Sequence, residues 1–193
     1  MNEPWDALVS AAAEDSAALI EKCAGDWSRP AGELTWSCTQ TVDHLSQAVY
    51  GYAALLIARP TDRYVALRVA MDPSAPADEI AESVRIGATL LAQTVRTTDP
   101  AAQAWHPWGP GDASAFAAAG VLELLVHSRD IAQGFGIEAT APDDELCAPV
   151  VDRLFPGAPS GHRPADTLLW CAGRIALPGL PRRTDWRWYG ETR

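Results

Sequence analysis

In the stretch "GVLELLVHSRDIAQGFG", from Gly120 to Gly136, Glu123 and His127 stand four residues apart among leucines and valines. Residues at i and i+4 share one face of a helix, with Cβ atoms roughly 5–6 Å apart. A carboxylate and an imidazole so placed can both reach one ion of zinc size, through bonds of roughly 2.0–2.2 Å. The competing reading is a weak contact on a solvent-facing stripe, where most charged side chains sit. The apolar flanks "VL" and "LLV" argue against it. Burying an unpaired carboxylate is expensive, and a cation removes that cost.

Two ligands from one helix require a third from elsewhere, and helical bundles build such sites from facing helices. His44 is the candidate. It falls in the second turn of another predicted helix, on a face shared with Gln40, Thr41, Gln47, Ala48 and Gly51. Two histidines and one carboxylate leave a coordination position open, as catalytic sites do and closed structural sites do not. Asp130 lies one turn past His127 and can orient an imidazole by accepting its N–H. It can equally be a surface acid beside Arg129. Arg174, in "CAGR", has the fork to hold a substrate carboxylate, although a salt bridge within the protein is the favoured reading. His106, in "AWHPWGPG", is set aside as a ligand. Asp112 to Glu123 spans about 16 Å at the helical rise, which puts that loop at the far end of the helix. His162, in "PSGHRP", reads as exposed coil.

The elements that carry these residues are helical. "PWDALVSAAAEDSAALIEKCA" gives a first helix from Pro4 to about Ala24, with Pro4 suited to the first turn. Ser37 and Gln40 form an S-x-x-Q capping box, so a second helix starts at Cys38 and stops before Pro60. "RYVALRVAM" alternates as a weak strand or an extended connector would. "PADEIAESVRIGATLLAQTV" makes a third helix, with Ile80, Val84, Gly87, Leu91 and Val95 as its stripe. A breaker-rich loop follows. The fourth helix begins after Asp112, an N-cap, and ends at Gly134 or Gly136. Four such helices predict an all-α four-helix bundle spanning residues 1–193, with a core of about 1–136. A short irregular extension, 137–193, includes two helical stretches, "DDELCAPVVDRLF" and "ADTLLWCAGRIAL".

The bulk numbers narrow the function. The chain has 193 residues, is 48% hydrophobic and carries a formal net charge of −10. That charge argues against nucleic acid or an anionic membrane as partner. The aromatic and basic tail "PRRTDWRWYGETR" is therefore expected to pack its tryptophans on the bundle. No segment is long and apolar enough to cross a bilayer, and "MNEPWDALVS" lacks the basic start of a signal peptide. The four cysteines form no CxxC pair and are expected to be reduced core residues in a cytoplasmic protein. P-loop, G-x-G-x-x-G, G-x-S-x-G and H-E-x-x-H motifs are all missing.

In order, Trp36-x7-His44 and "ELLVHSRDIAQGFG" resemble the DinB/YfiT-like metalloprotein superfamily. Within it the chain is most similar to the mycothiol-dependent maleylpyruvate isomerase N-terminal-domain family. His127-Ser128-Arg129-Asp130-Ile131-Ala132 matches its "H-x-x-D-[LI]-A" run, and "LLWCAGR" is similar to a late "LL-x-x-x-GR" element. The resemblance implies a DinB-like bundle with a divalent metal on His44, Glu123 and His127, zinc first and nickel as the alternative. It also implies chemistry with mycothiol or a similar small thiol, acting on small electrophiles as an isomerase or S-transferase. The alternative is a non-catalytic metal or small-ligand binding module. The isomerases of that family carry a separate C-terminal domain, whereas about 55 residues follow the fourth helix here, so that domain's contributions do not carry over. Homodimerisation is compatible with a bundle of this size.

Overall fold

In the computed structural model, which describes residues 4–191, the regular elements are helices: α1 (Trp5–Ile20), α2 (Cys38–Ala58), α3 (Ala77–Thr97), α4 (Ala113–Gly134), α5 (Asp144–Leu154) and α6 (Pro164–Cys171). Among the described residues the only β pairing is three isolated bridges, at Pro30–Ser37, Ala104–Gly111 and Leu177–Leu180. The fold is all-α, and α1 to α4 form a four-helix bundle. The predicted domain's outermost residues, 1–3 and 192–193, lie outside the described chain.

The helix ends follow local chemistry. Ser37 Oγ accepts from Gln40 N at 3.1 Å, and Ser37 N donates to Gln40 Oε1 at 2.9 Å, which closes the capping box of α2. Asp112 Oδ1 accepts from Ala115 N at 2.9 Å and starts α4. At the other end of α4, Gly136 takes the left-handed conformation (φ 71°). Ile137 N then reaches Ala132 O and Gly136 N reaches Gln133 O, both at 2.9 Å, so the last carbonyls of α4 are paired.

The core is organised around α4. From Ala115 to Ser128 every residue of that helix is buried, as expected of a helix that is apolar all round. It packs most extensively on α1 and α2, and α5 covers its other side. Its small residues allow close approach. A Cβ on Gly134 would sit 2.5 Å from Pro30 O and 2.7 Å from Cys38 Sγ, so α4 is pressed against the loop that leads into α2. The two helices that carry the candidate ligands are held in register there.

The connector "RYVALRVAM" is not a strand. It pairs with no strand, and a tight turn with Leu67 N bonded to Val65 O at 2.8 Å interrupts it. Val69 N instead donates to Gln47 Oε1 at 2.8 Å and Met71 N to Asp43 Oδ1 at 2.7 Å, both side chains of α2. The two helical stretches expected in the extension after Gly136 are α5 and α6, with irregular chain between and after them. Arg153 of α5 fastens the tail, donating to Ser114 Oγ, to the N-cap Asp112 and to the carbonyl of Gly190.

Gly134→Ala is expected to destabilise the fold by about 1–3 kcal/mol, because backbone rather than a flexible side chain occupies the space. Ser37→Ala should cost about 1 kcal/mol through loss of the cap. Thermal denaturation followed by circular dichroism measures both.

Candidate metal centre

His44, Glu123 and His127 come together. His44 Nε2 is 3.3 Å from Glu123 Oε2, and His127 Nε2 is 3.1 Å from the same oxygen. One ligand atom from each of the three lies within 4.8 Å of the others. Two ligands of one ion, each bonded at roughly 2.0–2.2 Å, stand roughly 3.0–3.6 Å apart, so this donor set fits a divalent cation. The residues that place them are those of α2 and α4: His44 lies two turns into the capped start of α2, and Glu123 and His127 stack on α4. Glu123 and His127 are each only 7% exposed, while the His44 side chain is 41% exposed. One side of the cluster is therefore interior and the other faces the cleft.

Asp130 is buried, not a surface acid. Its Oδ2 is 3.1 Å from His127 Nδ1 and it receives the forked guanidinium of Arg174, with Nη2 to Oδ2 at 2.6 Å and Nε to Oδ1 at 3.1 Å. Arg129 turns away to the carbonyls of Ala139 and Thr140. With Nδ1–H donating to Asp130, His127 presents Nε2 as a free donor to a cation. The "GR" of "LLWCAGR" acquires a physical meaning here. Gly173 is left-handed (φ 70°) and ends α6 in a Schellman turn, with Arg174 N bonded to Leu169 O at 2.8 Å and Gly173 N to Trp170 O at 2.9 Å. That turn aims Arg174 at Asp130, so its fork holds a residue of the chain itself rather than an open anion site.

Electrostatics follow from the same contacts. Burial pushes the Glu123 carboxyl up, but hydrogen bonds from His127 and His44 and their charges outweigh it and hold the group well below the usual carboxylate range. Burial disfavours the charged His127 ring, yet Asp130 and Glu123 raise its pKa to about 9. Burial likewise opposes ionisation of Asp130, which His127 and Arg174 reverse.

The cluster forms the floor of a cleft of about 1010 Å³. Trp36, 42% exposed, lies at its edge with its ring centroid 5.0 Å from that of His44 and nearly parallel to His127 at 6.4 Å. Tyr52 donates to Glu123 Oε1 at 3.4 Å. Further along, the cleft is lined by Tyr64, His106, Trp108, Trp186 and Trp188. His106 lies outside the group of ligand atoms formed by His44, Glu123 and His127. It is nonetheless buried in the cleft wall, because its loop folds back, with Trp105 N bonded to Pro60 O at 2.8 Å. His162 is in a bend between α5 and α6 and is half-buried rather than exposed. Tyr52, Tyr64, Trp108 and the tail tryptophans carry no local motif that marks them as cleft residues. Trp188 is 1% exposed and Trp186 packs against the core, so the tail tryptophans pack on the bundle as expected, while Tyr189 is exposed.

Residues 9–132 match the family model of the mycothiol maleylpyruvate isomerase N-terminal domain. The chain belongs to that family. No curated protein and no solved structure shows a significant match. The family match begins inside α1 and ends on α4. It takes in His44, Glu123, His127 and Asp130 and leaves out Arg174, Trp186 and Trp188. In this member of the family, therefore, residues beyond the matched domain complete the cleft and lock the carboxylate behind His127.

Two outcomes are expected. In the ion-free chain, the His127 contribution to stability is fully present below its ordinary pKa of 6.5 and is lost as pH rises through about 9. A cation must displace that proton, so metal affinity should increase with pH up to about 9. Calorimetric titration in buffers of differing ionisation enthalpy would detect the proton released. Asp130→Asn, which weakens the acceptor behind His127, should lower metal affinity by roughly 10–100-fold, read by competition with a chromophoric chelator.

Proposed function

We propose that this protein binds a divalent cation, zinc first, and uses mycothiol or a similar low-molecular-weight thiol to isomerise or conjugate small electrophiles in a reducing cytoplasm. The observation that carries the reading is the convergence of two imidazoles and one buried carboxylate on the floor of a large cleft. Held there, the ion would keep a bound thiol as its thiolate near neutral pH. The ligand set favours an anion in the open position, because one carboxylate and two neutral imidazoles leave a divalent cation with net positive charge.

The chain does not provide the thiolate itself. All four cysteines are free and buried. Burial pushes Cys23 and Cys147 up to about 12 and Cys38 and Cys171 up to about 11. The nucleophilic sulfur must come from outside, and the cleft is at the upper end of the 300–1,000 Å³ usual for ligand pockets, roomy enough for a thiol beside a second substrate. Trp36 packs its ring beside His44, and Asp130 fixes the His127 ring. In the reaction, sulfur bonds to an electrophilic carbon and the displaced π pair moves to a conjugated oxygen. Rotation followed by loss of the thiolate gives the isomer, whereas protonation gives the conjugate.

Thiol consumption against a panel of electrophiles, with metal-loaded and chelated protein, tests this reading. Metal-dependent turnover is expected, and His44→Ala and Glu123→Gln should lose bound metal and fall to the uncatalysed rate. Tight metal binding without turnover on any electrophile would leave a binding module in its place.

A further inference from the structure

Beyond Tyr52 the cleft has a second polar feature, and the direction of its hydrogen bonds can be worked out from which groups can only donate. Trp108 N–H is a donor and lies 3.3 Å from His106 Nδ1, so that nitrogen accepts. Burial lowers the His106 ring to about 4, against a smaller opposing pull from Glu123, which makes it neutral at pH 7. Its one proton is then on Nε2. Tyr64 Oη is 3.4 Å from Nε2, so the imidazole donates and the phenol oxygen accepts. The hydroxyl hydrogen of Tyr64 has no acceptor among the described residues. Burial, and then the charge of Glu123, raise the Tyr64 pKa, so the hydrogen stays on the oxygen. The Tyr52 hydroxyl differs, being committed to the Glu123 carboxylate.

Tyr64 and His106 both line the cleft, beside the apolar surfaces of Leu55, Trp108 and Trp188. The His106 ring is fixed by its stack on Trp188, centroids 4.3 Å apart. Tyr64 is fixed edge-on to Trp105 at 5.2 Å. A hydroxyl whose oxygen is held by a fixed donor presents its hydrogen in a restricted direction, which is the preorganisation that makes such donors selective.

We propose that Tyr64 is a specificity-determining residue of this cleft: its hydroxyl, polarised by His106, donates to the carbonyl oxygen of an electrophile whose apolar body lies against Leu55, Trp108 and Trp188. The substrate class is thus an apolar or aromatic molecule with a carbonyl conjugated to the carbon under attack. When sulfur adds to that carbon, one S–C bond forms and the π pair shifts to the carbonyl oxygen. Negative charge develops where the Tyr64 hydrogen is offered. Expulsion of the thiolate reverses the shift, and Tyr64 keeps its proton throughout.

The inference rests on the cleft being the substrate site of the proposed reaction, so its test reads binding and not turnover. Acetophenone and ethylbenzene, an aromatic ketone and its hydrocarbon counterpart, are titrated calorimetrically into the metal-loaded 193-residue chain and into Tyr64→Phe. The ratio of ketone to hydrocarbon affinity is expected to fall about 3- to 10-fold in Tyr64→Phe, the range for one net hydrogen bond, with metal content and hydrocarbon affinity unchanged. Tyr64 is 53% exposed, so removing its hydroxyl leaves the fold intact. An unchanged ratio overturns the proposal, as does a wild-type protein that does not bind the ketone. Failure of thiol turnover with the ratio changed as expected would refute the reaction and leave Tyr64 as the carbonyl donor.

Discussion

A carboxylate buried on an apolar helix has to be neutralised, and the architecture around Glu123 follows from that requirement. An isolated buried charge costs several kcal/mol. Glu123 meets it with two imidazoles, one from its own helix and one from α2. The His127 ring, drawn into the interior, is balanced by Asp130, and Asp130 by Arg174. Charges alternate along this path from the cleft floor to the C-terminal segment. Removal of His127 takes a partner from both Glu123 and Asp130, and weakening the balance of a buried charge is strongly destabilising.

This chain of partners explains why the segment after α4 belongs to the structural problem. Arg174 is delivered by a glycine turn at the end of α6, while Arg153 clamps the tail that carries Trp186 and Trp188 to the cleft. The family match ends before any of these residues. The matched domain brings the three candidate ligands, and the following segment brings the outer counter-charge and part of the aromatic wall.

Much of this was legible in the sequence because it is local. A capping box, an N-cap aspartate and a glycine after α4 mark helix ends over a few residues, and the structure uses all three. The i,i+4 pair at Glu123 and His127 is likewise a statement about one helix. His44 was reachable because its helix face is small and polar among apolar ones. The long-range features were not legible. Rise along α4 puts His106 far from the ligands, but says nothing about a loop folding back along a cleft that reaches both. The alternation at 63–71 matches a strand, but cannot show that Gln47 and Asp43 stand in for a neighbouring strand. The favoured salt-bridge reading of Arg174 needed a partner 44 residues away that no local spacing specifies.

The burial of all four cysteines has a consequence for durability. A protein that handled small electrophiles in the way proposed would expose its own thiols to the same attack. Here each Sγ is enclosed in the core and held in its protonated, weakly nucleophilic form at physiological pH. The fold thereby withholds all four of its own sulfurs from whatever the cleft admits.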